Sequence, residues 1–565
     1  MSPIRLIVII HLLLLVGIHQ GSGASRSQER AKHAMVVSAD RLASQVGVDI
    51  LRRGGNAVDA AVAVGFTLSV VYPEAGNIGG GGFMLIRKHD GTAIAIDFRE
   101  KAPGHATEKM YLDSLGNVTD KSVDGQLAVG VPGTVAGFVK ALDEFGTMKL
   151  ADVIQPAIDL AENGYPVDYR LAGSFEDYKE SLMKFPSTVK AFTRNGQLYS
   201  EGDELRQPEL AATLRRIQKH GREGFYEGET AQRIVDEIQR GGGILTLDDL
   251  RNYRAEKRNG LQFSYRNYEI VSMPPPSSGG ICLAELFKLV EGFDLSSMGS
   301  HSSQSVHVMT EAMKRVYADR AEYMGDPDQV EVPVEKLVSK TYADRRRKEI
   351  DLQHASQSSL VKYGDLQAAE SDNTTHYCVI DKDGNAVSTT YTLNDLFGSK
   401  VVVDGAGFFL NDEMDDFSSK PGAPNVYGLI GGYANAIAPN KRMLSSMSPT
   451  ILLKDHKPVM ILGARGGSRI ITSVFEAIVN IVDFGMNGQE AVDQPRFHHQ
   501  WLPDTLMYEK NCLPADVVEN LERRGHIARE KQGATGQLEA IYIDNEKGII
   551  YGAPDPREGG VAVGY

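Results

Sequence analysis

Two threonines follow an asparagine in the stretch "SDNTTHYCVID", residues 371–381, at the start of an apolar run typical of a β-strand. The turn signal "DKDGN" comes next at residues 381–385, and a second apolar run follows it. The pattern predicts a β-hairpin over residues 375–393, in which Thr392 lies opposite Thr374. Two hydroxyl groups at one end of a hairpin could act in nucleophilic chemistry, but strands are also often rich in threonine for structural reasons alone.

A glycine turn between a strand and a helix is predicted by "PVMILGARGGSRIITSVFEAIVNIVDF", residues 458–484. Such a turn leaves the backbone N–H groups of Gly466 and Gly467 pointing outward near a helix start, where they could bind an anion or an oxyanion. This stretch has neither the Gly-Lys-Ser/Thr of a P-loop nor the G-x-G-x-x-G spacing of a dinucleotide-binding fold. On its own, a turn of this kind is more often structural than functional.

Charged and polar clusters could together bind the two charged groups of an amino acid. Four acidic residues crowd into "LNDEMDDFSSKPG", and they are Asp412, Glu413, Asp415 and Asp416. Between apolar strands such a run is either a solvated loop or a site for an ammonium group. Ser445 and Ser446 precede another strand, where hydroxyls and amides could bind a carboxylate, and Arg99 could supply the matching guanidinium.

The sequence predicts no metal site. His498 and His499 are adjacent, so on a strand they point to opposite faces, and no third ligand is spaced nearby. His376 is interpreted as structural, because no G-x-S-x-G elbow suggests a serine-hydrolase triad. The cysteines lack CxxC spacing and are odd in number, which argues against a disulfide framework or a zinc ribbon. They are Cys282, Cys378 and Cys512.

Composition indicates a globular, exported protein. The 565 residues are 42% hydrophobic, and the net charge of -14 argues against a sequence-independent nucleic-acid binder. Residues 1–24 have the pattern of a secretory signal peptide, with an apolar run over residues 6–18 and a cleavage site after Ala24. The mature form is therefore expected to be periplasmic or secreted, with no membrane span. An uncleaved anchor is the alternative.

The elements around these residues are expected to form one composite α+β domain. Residues 41–71 predict two helices interrupted by a Gly-Gly pair, and a glycine run then leads into two short strands. Helical periodicity dominates residues 150–350, whereas alternating β patterns dominate after Thr374. The polar residues 348–373 between them are typical of a mobile, accessible linker. Neither half has a complete sheet face to bury alone.

Several motifs in order resemble the γ-glutamyltransferase family, also called γ-glutamyl transpeptidase. They are "NTTHYCVIDKDGNAVSTTYTLN", "FFLNDEMDDFSSKPGAPNVYG", "LSSMSPT", "GARGGSR" and "DQPRFHHQWLPD". The resemblance extends from about residue 33 to the C-terminal "GGVAVGY". It implies an N-terminal-nucleophile (Ntn) hydrolase with a four-layer αββα sandwich, and it implies no metal or organic cofactor.

The resemblance also implies that the precursor cleaves itself between Asn373 and Thr374. Residues 1–24 would then be a signal peptide, residues 25–373 a large subunit and residues 374–565 a small subunit, paired as a heterodimer that forms one composite domain. A threonine hydroxyl is a weak nucleophile, but the freed α-amine, with a pKa of about 7.7 to 8.0, can serve as its base. In the precursor that amine is part of a peptide bond.

The resemblance assigns the nucleophile to Thr374 and the hydroxyl that positions and assists it to Thr392. The other implied groups are the amides of Gly466 and Gly467 for the oxyanion, Arg99, Ser445 and Ser446 for the glutamyl α-carboxylate, and Asn394, Glu413 and Asp416 for the α-amino group. Tyr427 lies in residues 421–432, which resemble the lid loop of some members. Arg465 departs from the small residue or proline typical before the paired glycines.

The resemblance implies transfer of a γ-glutamyl group from glutathione or related γ-glutamyl amides through an acyl-Thr374 intermediate. The acceptor would be water, an amino acid or a dipeptide. One alternative is an acylase for glutaryl-cephalosporin-type amides, against which Asp416 argues, because such substrates have no α-ammonium group. Another alternative is an exported binding protein that keeps the fold but does not process itself.

Overall fold

A computed structural model describes residues 26–362, 374–420, 432–557 and 559–565. The predicted signal peptide, Asn373 and Tyr427 lie outside the described residues, as does most of the predicted lid loop. Within the described ranges, no helix combines the length and the hydropathy needed to cross a membrane.

The described strands are short and mostly antiparallel. In chain order they are β1 (Glu29–Ala31), β2 (Met35–Ser38), β3 (Gly81–Arg87), β4 (Ala93–Phe98), β5 (Tyr165–Pro166), β6 (Thr193–Arg194), β7 (Gln197–Leu198), β8 (Glu204–Leu205), β9 (Glu256–Asn259), β10 (Leu261–Tyr265), β11 (Tyr268–Ser272), β12 (Thr375–Ile380), β13 (Ala386–Thr392), β14 (Thr450–Lys454), β15 (Lys457–Arg465), β16 (Phe497–His498), β17 (Leu506–Glu509), β18 (Ala528–Lys531), β19 (Gln537–Asp544), β20 (Ile549–Pro554) and β21 (Val561–Gly564).

The described α-helices concentrate between β4 and β12. In chain order they are α1 (Arg41–Arg52), α2 (Ala57–Val71), α3 (Thr134–Phe145), α4 (Leu150–Asn163), α5 (Tyr169–Asp177), α6 (Lys179–Leu182), α7 (Pro186–Phe192), α8 (Pro208–His220), α9 (Glu223–Tyr226), α10 (Gly228–Arg240), α11 (Leu247–Asn252), α12 (Gly279–Val290), α13 (Leu295–Met298), α14 (Ser303–Tyr323), α15 (Val334–Leu337), α16 (Lys340–Arg347), α17 (Arg469–Val482), α18 (Gly488–Asp493) and α19 (Ala515–Arg523).

Two large antiparallel sheets lie at the centre of the described chain. Sheet I has the strand order β21-β2-β12-β13-β3-β4-β9, and sheet II has the order β1-β20-β19-β15-β14-β11-β10. Each sheet takes strands from both sides of Thr374. Because neither part of the chain supplies a whole sheet, the core requires both.

The two sheets stack face to face between two layers of helices. β12 and β13 of sheet I pack on β15 of sheet II, and β12 also packs on β19. Helices α1, α2 and α3 cover the outer face of sheet I, while α12 and α17 cover sheet II. This order of layers confirms the αββα sandwich, which buries both faces of each sheet.

The predicted pair of helices before β3 is confirmed. α1 begins at the N-cap Asp40, whose side chain accepts hydrogen bonds from two backbone N–H groups. α2 begins with a capping box formed by Asn56 and Asp59. All of α2 is buried, as its almost wholly apolar sequence predicted.

The predicted hairpin is also confirmed. β12 pairs with β13 so that Thr375 faces Tyr391, which brings the preceding Thr374 to the same end of the hairpin as Thr392. The side chain of Asp381 stabilises the turn by accepting hydrogen bonds from the backbone N–H groups of Asp383 and Asn385, both at 3.0 Å. Gly384 has a φ of 86°, which a glycine adopts without strain.

The middle of the chain is largely helical, as predicted, but two of its segments differ from expectation. Residues 256–272 are not helical, because β9 forms an edge of sheet I while β10 and β11 complete sheet II. The described part of the expected mobile linker is held in place: Ser358 donates a hydrogen bond to Asp504 at 2.7 Å. The indole N–H of Trp501 binds the carbonyls of Ser358 and Val361 at 2.8 and 3.0 Å.

Candidate active site

A small cavity of about 10 Å³, room for little more than one water molecule, brings together residues that are far apart in the sequence. Its lining consists of Arg99, Thr374, Thr392, Asn394, Glu413, Asp416, Ser445, Ser446, Met447, Gly467 and Ile470. Most of the residues singled out from the sequence are in this set. Sequence reasoning missed Met447 and Ile470, although each directly follows a polar or glycine motif that it had noticed.

Thr374 and Thr392 lie where the hairpin ends inside the core. Their relative exposures are 4% and 3%, so bulk water has little access to either hydroxyl. The Thr392 hydroxyl accepts a hydrogen bond from the Asn394 N–H at 2.9 Å, and its carbonyl accepts one from the Asn77 side chain at 2.9 Å. These bonds fix the second threonine beside the first.

The glycine run before β3 permits a close approach to this end of the hairpin. A Cβ added to Gly80 would lie 2.0 Å from the carbonyl oxygen of Thr392, closer than real Cβ contacts allow. The sequence showed the run, but the need for small residues arises only once β3 is packed beside β13.

The turn between β15 and α17 forms another wall of the cavity. Gly466 and Gly467 have φ values of 124° and 56°, in the region that favours glycine. Their carbonyls accept the hydrogen bonds from Arg469 and Ile470 that begin α17, at 3.1 and 2.9 Å. Gly467 lines the cavity near the start of this helix, where backbone N–H groups favour negative charge.

Arg99 is ion-paired with two carboxylates that the sequence assigned to the other end of a substrate. Its fully buried guanidinium contacts both Glu413 and Asp416. Glu100 lies 3.5 Å away, and the carbonyls of Met443 and Leu444 accept hydrogen bonds at 3.3 and 3.0 Å. The expected carboxylate-binding and ammonium-binding groups therefore neutralise one another in this structure.

The acidic side of the cavity has more carboxyl groups than Arg99 can neutralise. Burial raises the pKa of Glu100 to about 8, although Arg99 opposes the shift. Burial also raises the pKa of Glu413 well above its usual value. Burial lowers the pKa of Arg99, but attraction to Glu413 and Asp416 outweighs that effect and leaves the pKa raised. The cluster therefore holds at least one proton near neutral pH.

Asn394 adopts a backbone conformation that is uncommon for a residue with a side chain. Its φ is 85°, and its side-chain amide donates to the carbonyl of Asp412 at 3.1 Å. A non-glycine residue in this region is held there by its surroundings, and such residues are frequent at functional sites. The amide is thereby fixed at the edge of the acidic cluster.

Arg465, which precedes the paired glycines, is directed toward Tyr72. Its guanidinium donates to the Tyr72 hydroxyl at 2.5 Å. Burial raises the pKa of Tyr72 to about 12, although Arg465 opposes the shift, so the phenol stays neutral. Arg465 is not part of the cavity lining.

The histidines singled out in the sequence have partners within the protein. The ring of His376 bonds to Thr390 at 2.8 Å, and burial lowers its pKa to about 3. His498 bonds to Thr472 and Gln500, both at 2.9 Å, and His499 bonds to Asp504 at 3.2 Å. These contacts support the structural interpretation of His376.

A second group of ligand-type atoms lies away from the cavity and was not seen in the sequence. It comprises His307, Glu311 and His526, whose ligand atoms are within 4.8 Å of one another. Both oxygens of Glu311 are already paired with cations, Lys314 at 3.2 Å and Arg315 at 2.7 Å. The two rings share a hydrogen bond of 2.8 Å.

The geometry joins a buried threonine, a glycine turn and an amino-acid-like charge pattern in one cavity. A family model described as gamma-glutamyltranspeptidase matches residues 43–565. The chain belongs to the γ-glutamyltranspeptidase family. This confirms the resemblance drawn from the motifs, and as a member of this family the chain is an enzyme.

Relatives in this family carry two kinds of name. The chain is 50% identical over 530 residues to the glutathione hydrolase proenzyme of Escherichia coli (strain K12), covering 94% of this chain and 91% of the relative. It is 38% identical over 536 residues to the acylase ACY 1 proenzyme of Pseudomonas sp. (strain SE83), covering 94% and 93%.

Solved structures from the family share the fold. The cephalosporin acylase from Bacillus halodurans aligns with a TM-score of 0.85 at 29% identity, covering 97% of this chain and 98% of that one. Helicobacter pylori γ-glutamyltranspeptidase aligns with a TM-score of 0.58 at 45% identity, covering 60% of this chain and 97% of that one.

Proposed function

We propose that this γ-glutamyltranspeptidase family member transfers the γ-glutamyl group of glutathione and related γ-glutamyl amides through an ester on Thr374. Water would accept the group in hydrolysis, and an amino acid or dipeptide would accept it in transpeptidation. The observation that carries the proposal is the cavity itself, which Thr374 lines together with Arg99, Glu413 and Asp416. The first is a nucleophile, and the other three match an α-amino acid head.

Maturation precedes this reaction. The Thr374 hydroxyl attacks the carbonyl carbon of Asn373, the C–N bond breaks as the amine takes a proton, and an ester links the two residues. Water then hydrolyses the ester, which leaves Asn373 with a carboxylate and Thr374 with a free α-amine. The products are a large subunit of residues 25–373 and a small subunit of residues 374–565, which remain together because both sheets contain strands from each.

The free α-amine acts as the base for glutamyl transfer. It accepts the hydroxyl proton as Thr374 Oγ attacks the γ-carbonyl of the substrate, and the tetrahedral oxyanion is stabilised by the amides of Gly466 and Gly467. The amine then returns the proton to the departing amide nitrogen. Water or an acceptor amine attacks the resulting ester in the same way, and the Thr374 hydroxyl is regenerated.

Binding of the charged head of the substrate would replace the ion pairs that Arg99 makes within the protein. The α-carboxylate of the substrate binds the guanidinium of Arg99 and the hydroxyls of Ser445 and Ser446. The α-ammonium group of the substrate binds the side chains of Glu413, Asp416 and Asn394. The internal ion pairs around Arg99 then become two intermolecular pairs, so the charges are never left buried without a partner.

An acylase for glutaryl-type amides is the second candidate, because two relatives described above carry acylase names. The carboxylates of Glu413 and Asp416 argue against it, since a glutaryl group has no ammonium to neutralise them. The catalytic groups would be the same for both reactions, so substrate preference alone separates the two candidates.

Two measurements test the proposal. The mass of the denatured protein and the N-terminus of its smaller chain show whether the chain is cut before Thr374. Turnover of γ-glutamyl anilide is then compared with that of glutaryl anilide. A mature protein that prefers the glutaryl compound would establish the acylase, and an uncut chain without turnover would support the binding-protein alternative.

Export is part of the proposal. It is supported by the signal-peptide pattern of residues 1–24. Periplasmic or secreted protein should begin near residue 25, which sequencing of the large subunit would show.

A further inference from the structure

Helix α14 contacts two walls of the cavity through two side chains. Tyr317 and Arg320 are three residues apart, so they lie on the same face of the helix. Both are buried, with exposures of 3% and 2%. Neither lines the cavity, and sequence reasoning treated the helix only as an amphipathic one.

Arg320 supports the segment that carries the two cavity serines. Its Nη2 atom donates to the hydroxyl of Ser446 at 3.4 Å, and its Nε atom donates to the hydroxyl of Ser278 at 2.8 Å. Ser278 in turn donates from both its hydroxyl and its backbone N–H to the carbonyl of Ser445, each at 2.7 Å. One guanidinium thus holds both serines, one directly and one through Ser278.

Tyr317 supports the glycine turn. Its hydroxyl donates to the carbonyl of Ser468, the residue that follows Gly467 and precedes α17. The hydroxyl of Ser468 donates to Gln500 at 2.9 Å, which fixes the same residue from another side. The orientation of the adjacent glycine amides depends on how this peptide group is held.

We propose that Tyr317 and Arg320 are positioning residues with separate tasks, Tyr317 for the oxyanion-binding turn and Arg320 for the serines that bind the α-carboxylate. This inference rests on the proposed function. The oxyanion exists only in the transition state, so misplaced turn amides lower kcat. The α-carboxylate is bound in the ground state as well, so misplaced serines raise KM.

The test measures kcat and KM with γ-glutamyl anilide for Tyr317→Phe and Arg320→Lys. Tyr317→Phe should lower kcat about 10-fold with little change in KM, because one neutral hydrogen bond is lost behind the turn. Arg320→Lys should raise KM about 10-fold with little change in kcat, because an ammonium cannot bridge two serines as a guanidinium does. Values are normalised to the number of Thr374 residues that can be acylated.

Matched controls separate positioning from general destabilisation. Tyr165 is a buried tyrosine that also donates to a backbone carbonyl, that of Val70 at 2.7 Å, but it is outside the cavity lining. Tyr165→Phe should lower the melting temperature as much as Tyr317→Phe does and leave kcat unchanged. Ser278→Ala tests the Arg320 branch by a second route and should also raise KM, by a smaller factor.

A ligand comparison tests which substrate group Arg320 serves. Competitive inhibition by glutamate should weaken in Arg320→Lys, whereas inhibition by 4-aminobutyrate, which lacks the α-carboxylate, should not. Equal weakening of both inhibitors, or equal changes of kcat and KM in both variants, would overturn the positioning roles. If the parent protein fails to turn over γ-glutamyl anilide, the proposed function itself fails, which is a distinct result.

Discussion

The guanidinium of Arg99 is ion-paired with the carboxylate of Asp416 inside the cavity that Thr374 lines. Both groups are almost fully buried, so breaking the pair without replacement would leave two charges unsolvated. A substrate with a carboxylate and an ammonium on one carbon replaces both partners at once. A substrate with only the carboxylate cannot, so under the proposed function the pair would select for α-amino acids.

Asp416→Asn should therefore weaken γ-glutamyl substrates much more than desamino ones. Loss of a charged hydrogen bond to the α-ammonium costs about 1.5 to 3 kcal/mol, which corresponds to a KM increase of roughly 10- to 150-fold for γ-glutamyl anilide. Glutaryl anilide should be affected less than 3-fold, about 0.6 kcal/mol. Steady-state kinetics with both anilides measures the ratio.

Asp415→Asn is the control for this variant. Asp415 is also buried, but its carboxylate accepts a hydrogen bond from Ser122 at 2.6 Å and it is outside the cavity lining. Its substitution should leave the preference between the two anilides unchanged. Equal losses for both substrates in Asp416→Asn would mean that Asp416 does not bind the amine.

Thr374→Ala should give a single uncut chain without glutamyl transfer, because both the nucleophile of maturation and that of catalysis are removed. Thr375→Val is a matched control. Thr375 is buried beside it, and its hydroxyl has no hydrogen-bond partner among the described residues, so an isosteric valine should mature normally. Mass spectrometry and a γ-glutamyl anilide assay measure both. A cut and active Thr374→Ala protein would refute the nucleophile assignment.

Local patterns predicted the parts of the site that depend on neighbours in the sequence. The hairpin that ends at Thr392 and the turn at Gly466 both follow from strand periodicity and turn residues. The pairing of Arg99 with Asp416 could not be predicted, because it depends on how the end of β4 meets a segment more than 300 residues later, and no local pattern encodes that meeting.

The residues of α14 that support the cavity, Tyr317 and Arg320, could not be predicted from local patterns either. α14 is buried on nearly every side, including Glu311, Lys314 and Arg320, because its charges are paired inside the protein. Amphipathic patterns locate a helix face that packs on a core, but they carry no signal for charged residues that pack inward. β9 and β10 were missed for a related reason, since edge strands with one exposed face lack a strong apolar run.

Gly466→Ala should reduce kcat by about 100- to 1,000-fold, the loss typical of removing one oxyanion donor. The φ of Gly466 is 124°, and an added Cβ would lie 2.8 Å from the Cα of Gly536, so the turn must move. Gly485→Ala is the control, because its φ of 67° is also positive while nothing lies within 4 Å of the added Cβ. Gly485→Ala should lose stability but keep kcat. Similar kcat values for the two variants would argue against an oxyanion role for this turn.

His376 should make the protein less stable as the pH falls. Burial lowers its pKa to about 3 from the usual 6.5, so between these values the unfolded chain binds a proton that the folded chain does not. Stability therefore falls with falling pH, by about 1.4 kcal/mol per pH unit well below pH 6.5, and by about 2 kcal/mol between pH 7.5 and pH 5. In a cut chain the free α-amine of Thr374 would add its own pH dependence to the stability, and an uncut chain lacks that group.

The measurement compares Thr374→Ala with the double variant Thr374→Ala/His376→Gln, so that a single chain unfolds in both proteins. The His376 ring packs closely against Gly463, so its replacement also changes packing, but that change is the same at every pH. The effect of protonating His376 is therefore measured by how the difference between the two free energies of unfolding changes with pH. This difference should shrink by about 2 kcal/mol in favour of the glutamine variant on going from pH 7.5 to pH 5. Parallel curves would show that His376 takes up its proton as readily in the folded chain as in the unfolded one.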